Sequence, residues 1–373
     1  MSKRILFVTG TRADFGKLEP LALAARDAGF EVSFYVTGMH MMPRYGMTKI
    51  EVHRMDGVAV HEFENQNEDD PQDLVLANTI TGFSSFVRAH KPDLVVVHGD
   101  RVEALACALV CATNYVRCAH VEGGEVSGTI DEIFRHCNTK LSSDHFVSSS
   151  TAKSRVMALG EVPDSIYVIG SPELDTHAAP SGVTIDEVRE YYDIGFADYG
   201  IVTFHPVTSE QDTIGAQAHA LFDKLATSGR NFIVILPNND PGSNDIMAAI
   251  NALPTDRFRI LPSMRFAYFS ELLKNAAAHI GNSSVGVREA PFIGLPSLDI
   301  GTRQNNRSDA KSITSCTAFD GDAIDGFLDQ HWGKRLASDS GFGAGSSATR
   351  FITVLQDDAF WARPLQKEFQ DLG

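Results

Sequence analysis

The sequence predicts an α/β protein made of two Rossmann-like, doubly wound lobes with a cleft between them. Three observations carry this expectation. Short apolar runs alternate with helical stretches over residues 4–159; the alternation breaks over residues 170–199, where Pro172, Pro180 and Gly182 fall; and it restarts at residue 200. Apolar runs separated by helix-length segments read as βαβ crossovers around a parallel sheet covered on both faces. A chain of 373 residues also exceeds what one core ordinarily serves.

The elements follow in order. Residues 4–8 read as a strand, 17–28 as a helix, 31–36 as a strand and 82–90 as a helix that stops at Lys91-Pro92. The run 94–97, Leu-Val-Val-Val, is apolar throughout, as a central parallel strand should be. A helix over 103–112, a strand over 117–121, a helix over 131–142, a strand over 145–148 and a helix over 150–159 complete the first lobe. The acidic stretch 62–73 reads as an exposed loop, and 170–199 as a linker with an entry helix at 185–192. In the second lobe, 200–203, 231–236, 258–261, 279–280 and 297–300 read as strands, with helices over 214–228, 266–275 and 284–292. Residues 338–347, SDSGFGAGSS, form a low-complexity loop before a last amphipathic helix.

Composition excludes several functions. With 48 acidic against 32 basic residues the formal net charge is −16, which opposes a phosphate backbone, so nucleic acid is not an expected partner. No run approaches the ~20 apolar residues of a membrane helix, and the short run 5–8 is a strand rather than a leader. Five cysteines in a chain of this length do not suggest a disulfide framework, so a reducing cytoplasm is expected. Cys107 and Cys111 share a helix face within ALACALVCA and read as buried small apolar residues rather than a metal pair.

In open α/β sheets, ligands sit beyond the carboxyl ends of the strands, so the residues just after each strand carry the functional reading. After the first strand comes Gly10-Thr11-Arg12-Ala13-Asp14-Phe15-Gly16-Lys17. Its spacing matches neither a Walker loop nor G-x-G-x-x-G; what remains is a glycine-bent turn presenting Arg12 near a helix N-terminus, suited to one anion. After 94–97 come His98-Gly99-Asp100-Arg101 and Glu103, and after 117–121 come Glu122 and Glu125, then Asp131 with Arg135 one helical turn on. Asp100, Glu122 and Asp131 therefore gather at strand ends of one lobe. Crowded carboxylates must share protons or be matched by cations, which suits acid–base work. In the second lobe His205 follows a strand. Asn282, Ser283 and Ser284 open the stretch that runs on to Glu289 and Pro291; they suit a diphosphate, and Glu289 suits ribose hydroxyls. Arg303 and Arg307 follow the last strand and add positive charge. No metal-ligand spacing is visible.

The motifs GTRADFGKL, HGDRVEA, HVEGGEVSGTIDEIFRH, FHP, GNSSVGVREAP and GTRQNNR run in order from Gly10 to Arg307. Together they resemble the hydrolysing UDP-N-acetylglucosamine 2-epimerases, which include bacterial sialic-acid pathway enzymes. The resemblance implies a glycosyltransferase-B-like fold whose C-terminal helix returns to the first lobe. The expected domains are then 1–170 plus about 347–373, and 171–346. It implies Asp100, Glu122 and Asp131 as acid–base residues with His205 assisting at the diphosphate, and Arg12, Ser283, Ser284 and Glu289 holding the nucleotide. It further implies a UDP-sugar as substrate, UDP as product, no cofactor, no metal, and a homodimer or homotetramer. The segment EVSGTIDE favours the hydrolysing branch over one returning a UDP-sugar. A UDP-2,4-diacetamido-trideoxyhexose remains an alternative substrate.

Overall fold

The computed structural model describes residues 2–68, 70–127, 131–237 and 240–371. Gly128, Thr129 and Ile130 of the EVSGTIDE segment lie outside the described residues. The chain divides into two compact units. The first holds residues through 125, residues 131–175 and the chain from 342 onward; the second holds residues 126–127 and 176–341.

Among the described residues the first unit has seven parallel strands: β1 Arg4–Thr9, β2 Glu31–Val36, β3 Ala59–Glu62, β4 Leu94–His98, β5 Cys118–Val121, β6 Asp144–Val147 and β7 Ile166–Val168. Their spatial order is β3-β2-β1-β4-β5-β6-β7, so the winding direction reverses between β1 and β4. The second unit has six: β8 Gly200–Thr203, β9 Phe232–Ile235, β10 Phe258–Leu261, β11 His279–Gly281, β12 Ser297–Ile300 and β13 Ile313–Cys316, in the order β10-β9-β8-β11-β12-β13. The reversal there falls between β8 and β11. Both are Rossmann-like sheets, and a reversal point is where such sheets open a crevice for ligands.

The central strands are apolar on both faces because helices cover both. Val95, Val96 and Val97 are fully buried; Val96 packs with Phe7, Phe34 and Phe146 on one side, and Val95 and Val97 pack with Phe83, Cys107 and Cys111 on the other. Cys107 and Cys111 are thus core residues, and burial raises both thiol pKa values well above their ordinary range. The helix Ser347–Leu355, which the helix Asp358–Ala362 follows, returns Phe351 to this core, against Phe7 and Phe146.

Several helices differ from the sequence expectation: the one expected over 82–90 begins at Gln72, Ser243–Asn251 and Gly321–His331 are not among those expected, and two further helices differ for local reasons. The first begins at Arg12, not residue 17, because the Thr11 hydroxyl accepts from the Asp14 amide at 3.1 Å and caps it. Burial of Phe15 and Leu18 then outweighs the weak propensities of Gly16 and Pro20. The expected helix over 284–292 is instead a 3₁₀ turn, Ser284–Gly286, followed by the single turn Glu289–Phe292. Gly286 packs so closely that a Cβ would lie 2.6 Å from Ser297 Oγ and 2.7 Å from His279 Nδ1, and Pro291 has no N–H to bond the Val287 carbonyl.

Candidate active site

In the first unit the strand ends bring an ionisable cluster together. Thr11 starts the helix Arg12–Asp27 beside β1, which places Asp14 and Lys17 three residues apart on one face. Asp14 Oδ1 lies 3.3 Å from His98 Nδ1, and His98 Nε2 lies 3.2 Å from Glu122 Oε2. Lys17 Nζ stands 3.1 Å from Glu122 Oε1 and 3.6 Å from Glu173 Oε1. The Ser171 hydroxyl is 3.1 Å from Glu122 Oε1 and 2.8 Å from Glu173 Oε2; with one hydrogen, it serves one of them at a time.

His98 is nearly inaccessible, and burial works to lower its pKa. The Glu122 charge and the hydrogen bonds to Asp14 and Glu122 outweigh that and lift it to about 9. The ring is therefore an imidazolium at neutral pH, gripping two carboxylates. Asp14 moves the opposite way: burial raises it, but the His98 bond and charge, Arg101 and Thr11 bring it below the usual carboxylate range. Glu122 itself has φ +67°, in the left-handed region that a non-glycine residue adopts only at a cost of about 1 kcal/mol or more. Its contacts with Lys17, His98 and Ser171 hold it there.

Asp100 follows β4 one residue beyond Gly99 and pairs with the Arg135 guanidinium on the helix Asp131–Leu141. Arg135 is buried, whereas a quarter of the Asp100 side chain is exposed. The Gly99 carbonyl is pinned by His120 Nε2 at 2.8 Å and by Asn138 Nδ2 at 3.0 Å. Burial lowers the His120 pKa to about 3 against the pull of that carbonyl, so the ring is neutral and donates from Nε2. Asp131 opens the same helix, four residues before Arg135, and is partly exposed. Arg12 reaches toward Glu51, with Nη2 3.9 Å from Oε1.

The second unit arranges different chemistry at the equivalent place. The Asn282 side chain bridges the winding reversal: Oδ1 accepts from the His205 amide at 2.7 Å and Nδ2 donates to the His205 carbonyl at 2.8 Å. The Asn282 carbonyl accepts from Gln304 Nε2 at 2.7 Å and from Arg303 Nη1 at 3.4 Å, and Arg307 Nη1 donates to Gln304 Oε1 at 2.7 Å. His205, Asn282, Arg303 and Arg307 are thus tied into one network. Ser283 caps the 3₁₀ turn, its Oγ 3.5 Å from the Val285 amide, and Ser284 is half-buried beside it. Glu289 is 4 % exposed; its Oε2 lies 2.8 Å from His177 Nε2, and His177 Nδ1 lies 2.8 Å from the Ser270 hydroxyl.

Sequence reasoning passed over several of these residues. Lys17 and His98 lie within GTRADFGKL and HGDRVEA; the signal for His98 is its place at the end of an apolar strand, whereas Lys17 lies inside the first helix. Ser171, Glu173 and His177 fall in the stretch 170–199 that reads as a linker, which instead contains the short helix Glu173–Ala178. Glu173 and His177 are both buried there.

Paired parallel sheets with polar residues beyond their reversal points define the class: a glycosyltransferase-B-like α/β protein with two Rossmann-like domains. The chain belongs to the UDP-N-acetylglucosamine 2-epimerase family, whose family model matches residues 22–356. It is similar to a UDP-N-acetylglucosamine 2-epimerase of Neisseria meningitidis serogroup B, 43% identical over the full length of both chains. It is also similar to a hydrolysing UDP-N,N'-diacetylbacillosamine 2-epimerase of Legionella pneumophila, 31% identical over 84% of this chain and 85% of the relative. A crystal structure of a Neisseria meningitidis UDP-GlcNAc 2-epimerase bound to UDP-GlcNAc shares the fold at a TM-score of 0.79 and 16% identity, over 94% of this chain and 99% of that one.

Proposed function

We propose that this chain is a hydrolysing UDP-GlcNAc 2-epimerase, converting UDP-GlcNAc and water to ManNAc and UDP. The observation that carries the reading is the first unit's ionisable cluster, in which Glu122 is held in strained backbone between Lys17 and His98. The C2 hydrogen of the sugar has no neighbouring carbonyl, so a free carbanion there is inaccessible. Early cleavage of the C1–O bond builds positive charge at C1 and makes that hydrogen acidic. The C1–O electron pair leaves with UDP, a carboxylate takes the C2 proton, and the C2–H electrons form the C1=C2 bond of 2-acetamidoglucal. Water then adds its hydroxyl at C1, and an acid delivers a proton to C2 from the opposite face. Two faces at C2 call for more than one acid–base group; Asp100, Glu122 and Asp131 are assigned to that work. Arg12, His205, Asn282, Ser283, Ser284, Arg303 and Arg307 are assigned to the nucleotide diphosphate and Glu289 to the ribose hydroxyls. The full-length likeness to the Neisseria relative supports UDP-GlcNAc as substrate.

A second reading keeps the chemistry and changes the sugar to UDP-2,4-diacetamido-2,4,6-trideoxyglucose; the Legionella relative favours it. Incubation with each UDP-sugar in deuterated water, followed by NMR, tests both. The expected result is free ManNAc bearing deuterium at C2, with one UDP released per sugar. ManNAc that keeps its original C2 hydrogen overturns the elimination route. A product still attached to UDP overturns the hydrolytic outcome, and turnover of the diacetamido sugar alone selects the second reading.

A further inference from the structure

The second unit contains a buried relay, Ser270–His177–Glu289, of which the proposed function uses only Glu289. Ser270 is fully buried on the helix Phe266–Asn275, and the His177 side chain is fully buried on Glu173–Ala178. Phe266 packs edge-on against the imidazole, with ring centroids 5.5 Å apart. A Ser–His–carboxylate chain has the composition of a hydrolytic triad, yet a serine with no exposure cannot reach a substrate carbonyl. Its hydrogen-bond logic points elsewhere. A carboxylate can only accept, so His177 donates from Nε2 to Glu289 Oε2; when the ring carries that single hydrogen, the Ser270 hydroxyl donates to Nδ1. Ser270 fixes the tautomer, the tautomer fixes the donor facing Glu289, and the donor fixes the carboxylate rotamer. Among the described residues His177 engages Oε2 and leaves Oε1 unengaged by it.

We propose that Ser270 and His177 are positioning residues that aim Glu289 at the ribose of the nucleotide, so that the preference for ribose over a sugar lacking its hydroxyls is set two residues away from the ligand. This rests on the assignment of Glu289 to the ribose. Glu289 sits on a single helical turn, and a carboxylate whose rotamer is not fixed in advance loses rotamer entropy on engaging a diol. A relay that fixes the rotamer in advance removes that cost from binding. Outer partners that orient a first ligand-binding group act in the same way at metal sites.

The test is the ratio of affinities for UDP and 2′,3′-dideoxy-UDP, measured by calorimetry on the whole protein. A ratio cancels any general loosening of the nucleotide site. The native protein should prefer UDP by about ten-fold or more, since hydrogen bonds to a charged acceptor are at stake. Glu289→Gln should erase the preference. Ser270→Ala and His177→Gln should each reduce it at least three-fold, while Ser270→Thr, which keeps the hydroxyl, should retain it. If Glu289→Gln erases the preference but Ser270→Ala and His177→Gln leave it at the native ratio, the relay is refuted and the ribose assignment stands. If the native protein does not distinguish the two nucleotides, the ribose assignment itself fails and the relay with it. Ser270→Ala removes one oxygen from a buried site, so it supplies the decisive reading should His177→Gln fail to fold.

Discussion

The two units share a strand order around their reversal points, yet they finish their strands with opposite chemistry. At the ends of β1, β4 and β5 of the first or beyond them stand Asp14, Lys17, His98, Asp100 and Glu122, groups whose charge depends on protons and on one another. Beyond β8, β11 and β12 of the second, the network runs through Asn282, the His205 backbone and Gln304, groups that hold hydrogen bonds at fixed geometry without titrating. The guanidinium groups of Arg303 and Arg307 join this network as hydrogen-bond donors. The same scaffold therefore carries a cluster of ionisable groups in one unit and a hydrogen-bond network of fixed geometry in the other. Which of the two it carries is decided by a handful of residues in the turns.

That contrast can be broken by substitution, beginning with the largest expected effect. Glu122→Gln should lower kcat by about 10²–10⁴-fold while UDP affinity stays within about three-fold, because proton transfer is lost and the second unit is untouched. Equal losses in kcat and UDP affinity would show that the division of labour is wrong. Asn282→Ala should do the reverse: it removes both bonds to the His205 backbone and should weaken UDP binding by about ten-fold, with kcat changed less than about three-fold. A normal dissociation constant in titration calorimetry would remove the amide network from nucleotide binding.

The smallest effect sharpens the electrostatic half of the contrast. The His98 pKa rises from the ordinary value of about 6.5 to about 9 on folding, driven by Glu122 and Asp14 against the cost of burial. A raised folded-state pKa contributes stability that is fully present below pH ~6.5 and is lost as pH climbs through about 9. Denaturation midpoints of the native protein should therefore fall across that window, and those of His98→Gln should fall less. Parallel curves for the two proteins would mean that His98 does not carry the proton.

Much of the fold was readable because buried parallel strands leave apolar runs. β2, β8, β10 and β12 lie where the pattern put them. The edge strands β3 and β13 were not readable: Ala59–Glu62 and Ile313–Cys316 are largely half-buried or exposed and carry no run of apolar residues. The site divides in the same way. Asp100 and Glu122 could be picked out because a charged residue directly after an apolar strand is an uncommon juxtaposition. Ser171, Glu173 and His177 could not, because the short polar stretch holding them has neither the apolar run of a strand nor the long period of a helix.

By itself, then, the sequence determined where strands end and therefore which residues can stand at a ligand crevice, because strand burial leaves its mark within a few consecutive residues. Only the tertiary structure decided the partners: His98 between Asp14 and Glu122, Lys17 between Glu122 and Glu173, His177 between Glu289 and Ser270. These pairs are separated in the chain by tens of residues to more than a hundred. Charge and hydrogen bonding act through space over a few ångströms, and no local pattern in the sequence records which distant side chain will arrive there.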